Sequence, residues 1–213
     1  MPIYSDLLSE YIQKLFAQED EILAQIRERS AAGGLPPISV KPEEGQFLRF
    51  LAAASGASRA LEIGTLGGYS GTWICRGLPA NGKLITLELD PEHAVLAREH
   101  FALAGLTERV EVRVGDAHDL LGTMGGEGLF GFIFIDAEKE GYPEYLDWAL
   151  PHLAEGGIVA AHNAFRRGSV IDPADQEADA LALRRFNLQL AAARGMVSTI
   201  FPAGDGTAFG IKG

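Results

Sequence analysis

LEIGTLGGYSG, residues 61–71, runs from a short apolar segment into glycines at 64, 67 and 68 and on into a stretch with helical patterning. Glycines at such a junction let backbone come close to a ligand, and the amino end of the following helix offers unpaired N–H groups. A nucleotide-like cofactor is implied. The dinucleotide fingerprint G-x-G-x-x-G is not met, because counting from Gly64 puts Leu66 where the second glycine belongs. That disfavours an NAD-dependent oxidoreductase, the competing enzyme reading. Glu62 lies inside the apolar run, and Glu88 closes the next one, LITLE. A carboxylate at that strand end can accept both ribose hydroxyls, although a strand-end acid also reads as a solvated loop residue.

Outward from this turn, short apolar runs at 60–63, 84–89, 110–114, 132–135 and 158–161 alternate with helical stretches at 69–77, 91–104, 117–124 and 142–153. Such alternation predicts an α/β fold: a doubly wound, mostly parallel sheet with helices on both faces. A long helix over 175–193 leads to two last runs, 196–201 and 207–211, giving seven strands. Their link, PAGDG, is too short for a crossover helix, so the two should pair antiparallel on an edge of the sheet. Upstream, apolar residues recur at helical spacing over 7–26 and predict one amphipathic helix. The glycines and prolines of AAGGLPPISVKP then separate it from a second helix at 43–54. Residues 1–213 read as one domain, with 1–54 a helical cap suited to covering a pocket or joining a two-fold homodimer.

In an open parallel sheet the ligand crevice lies beyond the carboxyl ends of the strands. The third strand ends in GDAHD (115–119), the fourth in DAEK (136–139) and the fifth in HN (162–163). Asp136, His162 and Asn163 supply a charged oxygen, an imidazole and an amide oxygen, half of an octahedral metal shell. The same three residues also read as loop caps and a satisfied buried histidine. Lys139 can face the same pocket and serve as a general base, or stand as an ordinary surface lysine.

A formal net charge of −11 over 213 residues leaves no positive field for a phosphate backbone, so nucleic acid is not an expected partner. No apolar run is long enough to cross a bilayer, and MPIYSDLLSE lacks the layout of a secretion signal, so a cytoplasmic location is the expectation. Cys75, the only cysteine, sits among apolar neighbours and reads as a core residue.

Taken in order, LEIGTLGGYS, ELDPE, GDA, FIDAEKEGY, GGIVAAHN, RRFN and GDGTAFGIK make the chain from about Ser39 to Lys212 resemble the cation-dependent catechol and caffeoyl-coenzyme A type O-methyltransferases, including their small bacterial members. The resemblance implies S-adenosylmethionine as cofactor, with Glu62, Gly64, Tyr69 and Ser70 at its methionine end and Val40 and Lys41 nearby. Glu88 would hold the ribose, and Asp116, Ala117 and His118 would frame the adenine. Asp136, also beside the cofactor, falls with His162 and Asn163 on the family's three metal positions, and Lys139 falls on its catalytic lysine. The family pattern has aspartate where this chain has His162, and DAEK replaces the commoner DADK. An imidazole there removes a negative charge, so magnesium should bind less well while manganese, iron, cobalt or zinc suffer less.

The implied reaction is methyl transfer to a hydroxyl of a small phenolic acceptor, with a divalent metal chelating neighbouring hydroxyls and Lys139 taking the proton. Its alternatives are a metal-independent methyltransferase of the same fold, and a catalytically silent protein that keeps the cofactor pocket. A nucleic-acid base methylase is disfavoured because DAEK stands where that class carries an Asn-Pro-Pro-aromatic corner.

Overall fold

The computed structural model describes residues 5–213, so residues 1–4 of the expected amino-terminal cap lie outside it. Seven strands form one sheet: β1 (Arg59–Ile63), β2 (Lys83–Glu88), β3 (Val110–Val114), β4 (Phe130–Ile135), β5 (Leu153–Ala161), β6 (Met196–Phe201) and β7 (Thr207–Lys212). Their order is β3-β2-β1-β4-β5-β7-β6, parallel except for β7, which is antiparallel to both β5 and β6. The carboxy-terminal hairpin is therefore antiparallel as expected, with β7 inside the sheet and β6 alone at the edge. Burial follows position. β1, β2 and β4 are buried almost end to end because helices cover both faces, while edge strand β6 alternates half-buried and exposed residues.

Side-chain alternation on β4 divides the core. Phe132 and Phe134 join Leu48, Trp73 and Phe101 on one face, and Ile133 and Ile135 join Tyr142, Leu146 and Phe186 on the other. The covering helices are α1 (Asp6–Phe16), α2 (Glu21–Ala32), α3 (Pro42–Ala54), α4 (Tyr69–Gly77), α5 (Pro91–Leu103), α6 (Ala117–Thr123), α7 (Tyr142–His152) and α8 (Ala178–Ala192). Cys75 is fully buried on α4, and burial pushes its thiol up to about 12, which fits a packing role. Among the described residues no helix is long and apolar enough to cross a membrane.

Two elements differ from their sequence expectation. The single amphipathic helix over 7–26 is two helices, because Asp20 stops being a helix-interior residue and becomes a cap. Its carboxylate accepts the Leu23 N–H (3.0 Å) and pairs with Arg76 of α4 (2.8 Å), which fixes the start of α2 against the core. Strand β5 begins at Leu153 and not near 158, because a register shift between Phe130 and Phe132 lets Glu155 and the two following glycines bulge within the strand.

The winding reverses between β1 and β4, whose registers place Ile63 beside Ile135. One residue on, the ladder persists, with the Asp136 N–H on the Ile63 carbonyl (2.8 Å) and the His162 N–H on the Ile135 carbonyl (3.1 Å). Gly64 turns away at φ +99°, and a Cβ there would sit 2.3 Å from the Asp136 carbonyl oxygen. A side chain cannot be accommodated without parting the two strand ends.

Asp20→Ala should destabilise the protein by about 1 kcal/mol in urea unfolding, through loss of the cap; an unchanged midpoint would mean α2 starts without it. Gly64→Ala should cost at least about 2 kcal/mol, and a variant as stable as the parent would contradict the close approach of β1 and β4.

Candidate active site

The carboxyl ends of β1, β2, β4 and β5, with the loop into α3 and the 202–206 link, enclose a cleft of about 1330 Å3 at the point where the winding reverses. Of the residues marked in the sequence, Val40, Lys41, Gly64, Tyr69, Ser70, Glu88, Asp116, Ala117, Asp136, Lys139, His162 and Asn163 line it. Glu62 lies behind its wall, fully buried on β1. His118 does not line it: the ring is exposed, stacks on Tyr145 (centroids 4.7 Å apart) and faces Glu138.

Glu62 accepts the Ser70 hydroxyl (2.6 Å), and its other oxygen lies 2.7 Å from Thr86 Oγ1. Thr86 Oγ1 lies 2.6 Å from Thr65 Oγ1, which in turn reaches the Leu87 carbonyl at 3.1 Å. Three contacts thus run in series with two hydroxyl hydrogens to serve them, and a proton on Glu62 supplies the third. Burial pushes the Glu62 carboxyl up to about 8, against the hydrogen bonds of Ser70 and Thr86, which favour its ionised form.

Glu88 braces the glycine turn. One oxygen accepts the N–H groups of Thr65 (3.2 Å) and Leu66 (2.7 Å), and the other accepts the Asp90 N–H (3.0 Å). Leu66, at φ +49°, takes the left-handed conformation that a glycine takes in the dinucleotide fingerprint, held by that bond to Glu88. Buried His100 supports the turn through Nδ1 on the Gly67 carbonyl (2.8 Å). Buried Glu62 behind the wall, a carboxylate at Glu88 on the cleft lining and a turn that approaches Asp136 without side chains suit a nucleoside with a charged amino-acid end.

At the other side of the cleft, Lys139 Nζ donates to Asp136 Oδ1 (2.9 Å), the Ala137 carbonyl (3.1 Å) and the Tyr142 hydroxyl (2.7 Å). All three contacts are to oxygen atoms, and the one to Asp136 is an ion pair. His162 Nδ1 lies 3.4 Å from Asp136 Oδ2 and Nε2 lies 3.1 Å from Glu44 Oε1. Burial works against a charged ring, yet Asp136 and Glu44 outweigh it and raise His162 to about 10. Burial likewise works against a charged Asp136, but Lys139 and His162 hold its carboxyl well below the usual carboxylate range.

The three residues of the metal set expected from the sequence meet protein groups in this geometry. His162 Nε2 meets Glu44, while Nδ1 is buried 3.4 Å from Asp136 Oδ2 without a hydrogen-bond partner among the described residues, and Asn163, at φ +56°, donates Nδ2 to Asp205 Oδ2 (3.0 Å). Asp136 is spent on Lys139 and His162. Among the described residues no cluster of three or more His, Cys, Asp or Glu side chains is disposed to hold a metal ion.

Glu44, Thr86, His100 and Asp205 were not marked in the sequence. Glu44 follows Lys-Pro-Glu at a helix start, where an acid normally just complements the helix dipole. Asp205 sits in the PAGDG link, which reads only as a turn.

A family model described as O-methyltransferase matches residues 13–212. A catechol O-methyltransferase of Niastella koreensis is 44% identical over 89% of this chain and 87% of its own length, and one of Mycobacterium tuberculosis is 42% identical over 82% and 79%. Among solved structures, the Bacillus cereus O-methyltransferase in complex with SAH superimposes with a TM-score of 0.92 at 36% identity, covering 97% of each chain. The Streptomyces achromogenes O-methyltransferase TomG, solved with SAM, gives 0.87 at 35% identity over 97% and 96%. Likeness over nearly the whole length, in sequence and in fold, shows that this chain belongs to the O-methyltransferase family.

Proposed function

We propose that this chain moves the methyl group of S-adenosylmethionine to a hydroxyl of a small, catechol-like phenol. The observation that carries the reading is the Lys139 ammonium, anchored on Asp136 and turned into the same cleft that the glycine turn and Glu88 line. The donor is supported by the Bacillus and Streptomyces relatives, solved with SAH and SAM, and the acceptor class by the relatives named catechol O-methyltransferase.

In this reading Glu62, Gly64, Tyr69 and Ser70 receive the methionine end, with Val40 and Lys41 beside it. Glu88 takes the ribose, and Asp116 and Ala117 border the adenine; His118, stacked on Tyr145, is left out. The donor supplies an electrophilic methyl carbon on a cationic sulfur. The acceptor oxygen forms the new C–O bond on the side opposite the C–S bond, which breaks with its electron pair going to sulfur, giving a methyl ether and S-adenosylhomocysteine. Opposite charges are neutralised in this step, so alignment dominates, and holding two reactants in line is worth ~7–11 kcal/mol.

The acceptor must lose its proton first. Lys139, expected from the sequence as the base, has three oxygens around its Nζ. Its part here is electrostatic: it trades one acceptor for the phenol oxygen and stabilises the phenolate, whose proton leaves to solvent. Asp136 keeps the ammonium in place.

Lys139→Ala should lower kcat by about 100-fold or more, the usual effect of removing one preorganised donor, with affinity for S-adenosylhomocysteine nearly unchanged. Lys139→Arg should recover part of the loss; full turnover in the alanine variant removes Lys139 from the mechanism.

Glu62 gives a proton-linked prediction. Its carboxyl is protonated in the free protein at pH 7, and the cationic amino end of the cofactor favours the ionised form. Binding of S-adenosylhomocysteine at pH 7 should release a proton, read by calorimetry in buffers of different ionisation enthalpy, and Glu62→Gln should abolish the release. Because the folded-state value is raised, the stabilisation from this group is full below 4.5 and declines as pH rises through about 8. The melting temperature of the parent should fall across that window more than that of Glu62→Gln. Equal slopes and no proton release would show that Glu62 is already ionised.

A further inference from the structure

Strand β5 gives way to a turn over residues 163–168 that forms part of the cleft rim. Of the four residues other than glycine with positive φ among the described residues, three stand in this turn: Asn163 (+56°), Arg166 (+45°) and Arg167 (+53°). Such a backbone is unfavourable for any residue with a Cβ and persists only where its surroundings impose it. Here the 202–206 link imposes it. Asp205 accepts the Asn163 side-chain amide on Oδ2 (3.0 Å) and the Arg167 N–H on Oδ1, and its carbonyl accepts the Phe165 N–H (3.0 Å). Gly206, at φ +79°, leaves space for the Phe165 ring, which a Cβ there would meet at 2.7 Å. The turn is pinned by its main chain, and the side chain of Arg167 is left exposed on the rim.

The charged groups around this turn are spent, with one exception. Arg166 pairs with Asp175 (3.0 Å) and Asp179 (2.5 Å), and both carboxylate oxygens of Asp205 are taken. Lys139 pairs with Asp136 (2.9 Å). Among the described residues the Arg167 guanidinium has no acid partner and no hydrogen bond. Lys41, the other cation of the lining without an acid partner, belongs with the cofactor in the reading above.

Sheet order sets which half of the cleft this is. β2 and β3, which lead to Glu88 and Asp116, lie on one side of β1, and β4, β5 and β7 lie on the other. Lys139 follows β4, Arg167 follows β5, and Asp205 precedes β7, so all three belong to the half away from the nucleoside. A guanidinium is permanently charged and grips a carboxylate through two parallel N–H···O bonds. On a chain of net charge −11, a fixed cation at the cleft mouth also offsets the repulsion that an anionic acceptor meets on approach.

Building on the methyl-transfer reading, we infer that Arg167 is a specificity-determining residue that selects acceptors carrying a carboxylate on the side of the ring away from the methylated hydroxyl. The acceptor class narrows to dihydroxyphenyl carboxylic acids. The carboxylate is a spectator: the C–O bond forms and the C–S bond breaks as before, and Arg167 acts on how the ring is seated.

The test compares 3,4-dihydroxybenzoate, 4-methylcatechol and 3,4-dihydroxybenzylamine, which differ chiefly in the charge of one substituent. Steady-state methyl transfer by the full-length protein is measured for each, and its binding to the S-adenosylhomocysteine complex is followed by calorimetry. The native protein should favour the carboxylate over the neutral catechol by about tenfold or more in kcat/KM, the scale of one charge-assisted hydrogen bond, and mostly through KM. Arg167→Gln should bring that ratio close to one, Arg167→Lys should keep part of it, and Arg167→Glu should turn the preference toward the amine. A general defect in the turn would lower all three acceptors together and leave the ratio where it was. A native protein with no preference for the carboxylate, or an Arg167→Gln variant that keeps the preference, overturns the inference. The native comparison stands even where a variant does not fold. Equal methylation of all three acceptors refutes the selectivity and leaves the functional reading intact. Carboxylate-selective binding that depends on Arg167, without methylation of any acceptor, refutes the functional reading and leaves the selectivity intact.

Discussion

Asp136 is a part-buried carboxylate that keeps its charge, and most of the site is arranged around that fact. Such a charge is tolerable only when it is paired and hydrogen-bonded, and here the pairing comes from Lys139 on one oxygen and His162 on the other. Each partner is in turn committed elsewhere, Lys139 to Tyr142 and a main-chain carbonyl, His162 to Glu44. Removing any one member leaves a buried charge unsatisfied, which is why α3, β4 and β5 meet at this corner in a fixed geometry.

The sheet makes that corner possible. Its winding reverses between β1 and β4, so the glycine turn and Asp136 leave adjacent strands side by side, with only the backbone of Gly64 between donor turn and charged corner. Asp136 on the cleft lining and Glu62 behind its wall are therefore two carboxyl groups with opposite fates. Glu62, surrounded by hydroxyls and apolar core, is held neutral, while Asp136, flanked by two cations, is held ionised. A cationic cofactor end suits the first and an anionic acceptor suits the ammonium that the second anchors.

Much of this was legible in the residues. Helix α4, strands β3 and β6 and the crevice set at 136, 139, 162 and 163 follow from apolar periodicity and from the rule that ligands lie at carboxyl strand ends. The break before Asp20 was not, because apolar residues continue at helical spacing through it and nothing local shows that Asp20 caps Leu23 and pairs with Arg76. The early start of β5 was hidden by glycines that read as a turn and serve as a bulge. Glu44 was invisible for a different reason: its partner lies 118 positions away, and no local pattern distinguishes an acid that grips a distant histidine from one that merely begins a helix. His162 was legible as a departure from the aspartate that the resemblance implies there, while its contact with Glu44 was not.

A crystal structure of the protein with S-adenosylhomocysteine and a catechol tests the central claim most directly. It should show one phenolic oxygen hydrogen-bonded to Lys139 Nζ and the homocysteine end against Glu62 and Ser70. A catechol bound away from Lys139, or a homocysteine end seated away from the glycine turn, would contradict it.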